Sequence, residues 1–212
     1  MKTIQYHNED ILVSKVVCVG RNYVEHIKEL GNETPENLVL FNKPNSAISS
    51  DLYYFSEDTR FEGEICFLIK NKKIDAIGFG LDLTKANTQN YLKSKSLPWE
   101  RAKAFDNSAV FSEFVSFDGD LKNLRMELFI DDKLVQEANY DLMIHKPQDV
   151  ISEIETFMTL GDNDIIMSGT PKGVGTYKIN SVFIGKIFSK DELLIESKWV
   201  VKLPKNDNLQ LL

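Results

Sequence analysis

The chain has 212 residues, of which 42% are hydrophobic and 27% are charged, and its formal net charge is −7 at pH 7. This size and composition predict a globular protein with a single domain over residues 1–212, and the lack of a Lys/Arg stripe argues against nucleic acid as a partner. The N-terminus lacks the apolar region of a signal peptide, and no apolar stretch approaches the roughly 20 residues that cross a bilayer, so we expect a cytoplasmic protein without a membrane partner.

Short strands and one helix are predicted in the first part of the chain. The apolar run over residues 15–20 predicts a buried strand. A short helix follows and ends at Gly31, and the next strand ends at Pro44. Two more strands over residues 63–69 and 76–83 flank a turn at 70–73. The two cysteines, Cys18 and Cys66, lie in these apolar runs and are expected to be reduced core residues.

The second part of the chain continues with strands and a few helices. Residues 84–95 have helical character with Thr84 as a candidate N-cap, and residues 124–140 predict a hairpin that turns at Asp131 and Asp132. Residues 146–160 form the clearest helix, and its predicted apolar face consists of Val150, Ile151, Ile154, Phe157 and Met158. Late strands are predicted within residues 164–169 and 192–203. The pattern favours a β-rich α+β fold with short peripheral helices over a doubly wound sheet.

Two glutamates in the stretch RFEGEICFLI, residues 60–69, are the first candidate site residues. Side chains alternate along a strand, so Glu62 and Glu64 point to one face, where two desolvated carboxylates repel each other unless a positive charge lies between them. Asp82, at the end of a later strand, is a candidate third ligand. Three carboxylates favour a hard cation such as Mg²⁺, Mn²⁺ or Ca²⁺ over Zn²⁺. The solvated face of an edge strand would explain the same spacing without a metal.

Three further motifs could contribute to the chemistry. His26 and Glu29 share a helix face and could activate water, although a surface helix would carry the same residues. The segment SGTPKGVGT, residues 168–176, could bind an anion or form a tight turn, and it lacks the spacing of a Walker A loop. Lys103 is a lone cation near a Trp. We do not expect His7 or His145 to be catalytic.

Together these segments resemble the fumarylacetoacetate hydrolase (FAH) family, and specifically its short acylpyruvase-like branch. The resemblance rests on VGRNYVEHIKEL, FEGEI, LDLT, LPWERAKAFDNSAVF and MSGTPKGVG, which occur in the order of the family and cover almost the whole chain. It implies a mixed β-roll fold and a homodimer. It also implies a metal-dependent enzyme and assigns roles to the residues that match these motifs.

The resemblance implies a Mg²⁺ or Mn²⁺ ion, with Ca²⁺ as a substitute in a crystal, bound by Glu62, Glu64 and Asp82. It places His26 and Glu29 on a mobile lid over residues 22–34 and makes Lys103 the third catalytic residue. The residues expected to contact substrate are Arg21, Gln89 and Thr170. One segment departs from the family, because T-A-R-D is replaced by TKAN at residues 84–87. The missing arginine puts the substrate in question, unless Lys85 replaces it.

The implied activity is hydrolysis of a C–C bond in 2,4-dioxo acids (acylpyruvates) through a metal-stabilised enolate. In that mechanism Glu29 and His26 deprotonate a water that attacks C4, and the same enolate would form if oxaloacetate lost CO₂. One alternative is an isomerase or decarboxylase of the 2-hydroxyhepta-2,4-diene-1,7-dioate type. Another is a non-catalytic protein that binds a small dicarboxylate through its metal.

Overall fold

A computed structural model describes residues 1–29, 31 and 37–204. Strands dominate this part of the chain, and its longest helices have nine residues. The strands are β1 (Thr3–Tyr6), β2 (Glu9–Leu12), β3 (Lys15–Gly20), β4 (Val39–Pro44), β5 (Ile48–Ser49), β6 (Thr59–Lys70), β7 (Lys73–Lys85), β8 (Ala109–Phe111), β9 (Val115–Ser116), β10 (Leu124–Ile130), β11 (Lys133–Asn139), β12 (Ile165–Met167), β13 (Gly175–Thr176), β14 (Val182–Ser189) and β15 (Glu192–Val200). The helices are α1 (Val24–Glu29), α2 (Ala86–Ser94), α3 (Glu100–Lys103) and α4 (Pro147–Glu155).

The strands of the described residues form three sheets. A nine-stranded sheet runs in the order β4-β3-β12-β6-β7-β8-β5, with β13 paired to β6 and β9 paired to β7. A four-stranded sheet has the order β11-β10-β14-β15, and β1 and β2 form a hairpin. The large sheet is mixed, because β3 and β12 pair in parallel whereas β6 and β7 are antiparallel. This β-rich arrangement with short helices confirms the predicted fold class.

The β6–β7 hairpin lies at the centre of the large sheet and is covered on both faces. Ile65 and Phe67 belong to one buried cluster, whereas Cys66 and Leu68 belong to a second. Alternating residues of one strand therefore support two cores, which explains why the strand is almost continuously apolar. Cys18 is buried in the second cluster as well, and both cysteines are free, as predicted.

Two predicted turns are confirmed by their backbone angles. Asn71 and Lys72, between β6 and β7, have φ values of 50° and 61°. Asp131 and Asp132, between β10 and β11, have φ values of 49° and 63°. Two consecutive residues in the left-handed region give the twist that a two-residue hairpin needs.

The predicted N-cap of α2 is wrong. Thr84 is a residue of β7, where pairing with Arg60 keeps it extended, and its hydroxyl donates a hydrogen bond to Glu62. The helix begins at Ala86, and its N-terminus is capped from elsewhere in the sequence, because Asp58 Oδ2 accepts the backbone N–H of Asn87 at 3.0 Å. A cap supplied by a distant residue leaves no local sequence signal.

The predicted apolar face of α4 is confirmed in part. Val150 and Ile154 are buried, and Ile151 and Met158 pack against the same core. Phe157 is 61% exposed, so its assignment to the core is wrong. The helix ends at Glu155, and the helical periodicity that would place Phe157 inside does not extend past that residue. The described ranges contain no helix that could cross a membrane.

Candidate metal centre and active site

The three predicted acidic ligands lie together on the central hairpin. Strand pairing places Glu62 opposite Asp82, and Glu64 lies two residues further along the same face of β6. One carboxylate oxygen from each residue falls within 4.8 Å of the other two. Glu64 and Asp82 are each 1% exposed, and β6 lies between β12 and β7. The alternative of a solvated edge strand is therefore wrong.

Two buried lysines partly neutralise these carboxylates. Lys103 Nζ lies 2.8 Å from Glu62 Oε2 and 2.6 Å from Asp82 Oδ2. Lys43, which is completely buried, places its Nζ 2.8 Å from Asp82 Oδ1. Three carboxylates facing two ammonium groups leave one excess negative charge when all five are ionised. The donor set is hard and anionic, and it fits a divalent cation such as Mg²⁺ or Mn²⁺.

The electrostatics differ between two neighbouring carboxylates. Burial raises the pKa of Glu64 well above its usual value, and the Asp82 and Glu62 charges raise it further. Burial also opposes ionisation of Glu62, but the Lys103 ammonium outweighs it and lowers the pKa of Glu62 to about 2. Burial lowers the pKa of Lys103, but its carboxylate neighbours dominate and raise it. Among the described residues, the centre thus holds a Glu62–Lys103 ion pair beside a carboxylate, Glu64, that pairs with no lysine.

Lys43 is not among the predicted site residues. Its ammonium donates to the backbone carbonyls of Leu83, Lys103 and Ser108, and also to the Ser108 hydroxyl. It therefore ties Asp82 to the segment that carries Lys103. The sequence does carry a signal for Lys43. Side chains alternate along a strand, so Lys43 lies on the same face of β4 as the partly buried Phe41 and points toward the core.

The His26–Glu29 pair is formed by α1 and is tied to the glycine-rich loop. His26 Nδ1 lies 3.2 Å from Glu29 Oε2, and the backbone N–H of Gly173 donates to Glu29 Oε1 at 3.0 Å. Gly173 has a φ of 99°, and a Cβ there would lie 2.0 Å from the Val135 carbonyl oxygen. Only glycine fits this position. Of the predicted lid over residues 22–34, residues 30 and 32–34 lie outside the described part of the chain.

One small cavity brings most of the predicted site residues together. Arg21, His26, Glu62, Gln89 and Lys103 all line it. Gly20, Phe41, Lys93 and Trp99, which were not predicted, complete its wall. His7 and His145, which we do not expect to be catalytic, are not among these lining residues.

Thr170 is bound within the loop that follows β12. Its hydroxyl donates to the Gly63 carbonyl at 3.0 Å and accepts from Gln136 Nε2 at 2.8 Å. Gln136 also accepts the Gly63 N–H at 2.9 Å, so one buried amide joins β6 to the loop. The neighbouring Gly169 N–H donates to Glu64 at 2.7 Å. The segment over residues 168–176 therefore contacts both the acidic triad and the His26–Glu29 pair. Gln136 has no motif that would identify it in the sequence.

The fold and the buried acidic triad define a β-rich protein with a candidate centre for a hard divalent cation. Residues 15–206 match the family described as Fumarylacetoacetate (FAA) hydrolase C-terminal. The chain belongs to this family, which confirms the resemblance inferred from its motifs.

Relatives extend this comparison. The chain is 38% identical over 195 residues to oxaloacetate tautomerase YcgM of Escherichia coli (strain K12), with 81% of this chain and 89% of that protein covered. It is 35% identical over 187 residues to a mitochondrial oxaloacetate decarboxylase of Dictyostelium discoideum, with 79% and 86% covered. The crystal structure of fumarylpyruvate hydrolase from Pseudomonas aeruginosa in complex with Mn²⁺ and pyruvate has a TM-score of 0.86 and 26% identity, covering 95% of this chain and 96% of that one.

Proposed function

We propose that the protein is a divalent-cation-dependent enzyme that interconverts the keto and enol forms of oxaloacetate. The observation that carries this proposal is a buried triad of carboxylates, Glu62, Glu64 and Asp82, of which Glu62 lines one cavity together with His26 and Lys103. The names of the sequence relatives support oxaloacetate as the substrate. This activity moves one proton and breaks no C–C bond, so it demands less of the site than hydrolysis.

Glu62, Glu64 and Asp82 would hold Mg²⁺ or Mn²⁺ in this proposal. When bound, the ion would act as a Lewis acid toward the 2-oxo acid end of the substrate. The close approach of the three carboxylates and the all-oxygen donor set support this assignment. The Mn²⁺ in the fumarylpyruvate hydrolase structure supports it as well.

The remaining residues would manage the proton. Glu29 engages Nδ1 of His26, which leaves Nε2 of that ring to exchange a proton with C3 of oxaloacetate. Glu29 would stabilise the imidazolium that forms. Lys103, as an ammonium group bonded to two carboxylates, would stabilise charge on the 2-oxo oxygen rather than act as the base. We further propose that residues 22–34 form a lid that carries His26 and Glu29 to the substrate, and that Arg21, Gln89 and Thr170 contact it.

The first test measures metal dependence. The decay of the ultraviolet absorbance of enol oxaloacetate is followed with Mg²⁺, with Mn²⁺ and with a chelator. We expect chelation to abolish the enzymatic rate and Glu64→Gln to abolish both metal binding and activity. Glu196→Gln is the matched control, because the Glu196 side chain is half-exposed at the surface. This variant should behave as the wild type. Full activity of Glu64→Gln in the presence of metal would show that the ligand assignment is wrong.

A second test separates the base from the metal. His26→Gln should slow tautomerisation about 10²–10⁴-fold while it leaves Mg²⁺ affinity nearly intact, because a general base typically contributes that much. His145→Gln, whose residue does not line the cavity, is the control. An unchanged rate in His26→Gln would remove His26 from the mechanism.

Acylpyruvate hydrolysis is the second candidate function. The His26–Glu29 pair and the fumarylpyruvate hydrolase relative favour it. In this reaction the pair would deprotonate a water that attacks C4, the C3–C4 bond would break, and a carboxylic acid and pyruvate would leave. Loss of acetylpyruvate absorbance measures this reaction, and coupling of released pyruvate to lactate dehydrogenase measures oxaloacetate decarboxylation.

The same assays address the remaining alternatives. Metal-dependent binding of these acids without turnover would favour the non-catalytic binder. Turnover of a 2-hydroxy-diene diacid alone would favour the isomerase or decarboxylase of the 2-hydroxyhepta-2,4-diene-1,7-dioate type. The homodimer and the cytoplasmic location stay predictions, and light scattering on the purified protein tests the first.

A further inference from the structure

The proposed chemistry assigns no role to one basic residue of the cavity, Lys93. Lys93, in the last turn of α2, lines the cavity four residues after Gln89. Residues four apart share one face of a helix, so α2 presents both side chains to the same space. Arg21, which follows β3, lines the cavity as well. Two basic side chains from different elements therefore face the space that Glu62 borders.

The surroundings of Lys93 suit an anion. Its Nζ lies 5.1 Å from the centre of the Trp99 ring, and the side chain is half-buried. None of the ion pairs between described residues includes Lys93. Burial lowers the pKa of Lys93, and the positive charges of Arg21 and Lys103 lower it further. A partly desolvated cation beside other cations gains free energy when an anionic group joins it.

We propose that Lys93, together with Arg21, binds the second carboxylate of a dicarboxylic 2-oxo acid and so selects substrates of the oxaloacetate type. The inference rests on the proposed function, in which the 2-oxo acid end of the substrate lies at Glu62, Glu64 and Asp82. Glu62 and Lys93 line one small cavity. A substrate whose 2-oxo acid end lies at Glu62 would therefore present its other end to Lys93. A carboxylate at that end would gain binding free energy from the Lys93 ammonium, whereas the methyl group of acetylpyruvate would not.

This assignment also accounts for the TKAN segment. Lys85, the expected replacement for the missing arginine, does not line the cavity. Its Nζ lies 4.7 Å from the centre of the Phe105 ring. Its positive charge helps to lower the pKa of Asp58, the residue that caps the N-terminus of α2. Lys93 lies two helical turns further along, near the opposite end of the same helix. The positive charge that the family's arginine would provide near the start of α2 is thus supplied by Lys93 in the last turn of the same helix.

The test compares two unreactive acids that differ only in the second carboxylate. Malate has the carbon skeleton of oxaloacetate, and lactate lacks its far carboxylate. Calorimetry with the Mg²⁺-loaded protein measures the affinity for each. We expect wild type to prefer malate and Lys93→Met to reduce the malate-to-lactate affinity ratio about 10- to 100-fold, which corresponds to loss of a charge-assisted hydrogen bond. Lys93→Arg should keep the preference, and the matched control Lys85→Met should leave it unchanged.

Three outcomes would overturn the proposal. These are a wild type that does not prefer malate, a Lys93→Met variant with the wild-type ratio, and a loss of preference in Lys85→Met instead. The KM for oxaloacetate provides a separate reading, and it should rise in Lys93→Met by the same factor. If wild type turns over no substrate but Lys93→Met loses the malate preference, the proposed reaction fails and the carboxylate subsite stands. If oxaloacetate is turned over with an unchanged KM in Lys93→Met, the subsite fails and the reaction stands.

Discussion

Lys43→Met removes a buried positive charge while it keeps the length of the side chain. In the wild type, the Lys43 ammonium contacts Asp82 and donates to three backbone carbonyls and the Ser108 hydroxyl. The variant leaves these groups buried with one partner fewer. Breaking a buried ion pair costs about 3–5 kcal/mol, and each unsatisfied buried group adds to the penalty.

The consequence for stability is measurable by calorimetry or urea unfolding. In a chain of this size, 1 kcal/mol corresponds to roughly 2–4 °C in Tm, so Lys43→Met should lower the Tm of the metal-free protein by about 6–20 °C. Lys202→Met is the matched control, because Lys202 pairs with Asp51 at the surface, where both side chains are about half exposed. An exposed pair of this kind contributes little to stability, so the Tm of this variant should stay close to that of the wild type. Equal shifts in the two variants would refute the structural role of Lys43.

Three further predictions concern the supports of the site. Gly173→Ala should lower the free energy of unfolding by about 1–3 kcal/mol or more, because a Cβ meets a backbone carbonyl, and wild-type Tm would contradict this. Gln136→Leu leaves the Gly63 N–H buried without its acceptor, so urea unfolding should show a loss of about 1–3 kcal/mol, and no change would argue against this bridge. Asp58→Ala removes the cap of α2 and should cost about 0.5–2 kcal/mol at pH 7. The Ser56 hydroxyl lowers the pKa of Asp58 in the folded protein, so this contribution is complete above the unfolded value of about 3.9 and is lost as pH falls through the lower folded value. A deficit of Asp58→Ala that persists undiminished in strong acid would contradict the capping role.

The parts of the fold that sequence predicts well depend on short-range patterns. The β6–β7 hairpin shows long apolar runs and a polar turn, and left-handed Asn71 begins that turn. Strand alternation places Glu62 and Glu64 on one face, and this alternation holds in any strand. Their depth does not follow from it, because burial depends on the neighbours of β6 in the sheet.

The features that sequence does not predict depend on contacts between distant residues. Asp58 caps a helix that begins 28 positions later, and Thr84 belongs to a strand because Arg60 pairs with it. Gln136 contacts the loop of the site from a strand far from its motifs. Periodicity assigned Phe157 to the core because it cannot locate the end of the helix. In each case tertiary structure decided between options that were locally equivalent.

The two lysines beside the acidic triad also bear on when the proposed metal would be needed. Lys43 and Lys103 offset most of the carboxylate charge, so the native state would not depend on the proposed ion for its stability. Small zinc-binding domains differ, because in them metal binding and folding are one event. On the proposed function, folding and loading of the ion would here be separate steps, so a folded chain would be able to release one divalent ion and take up another.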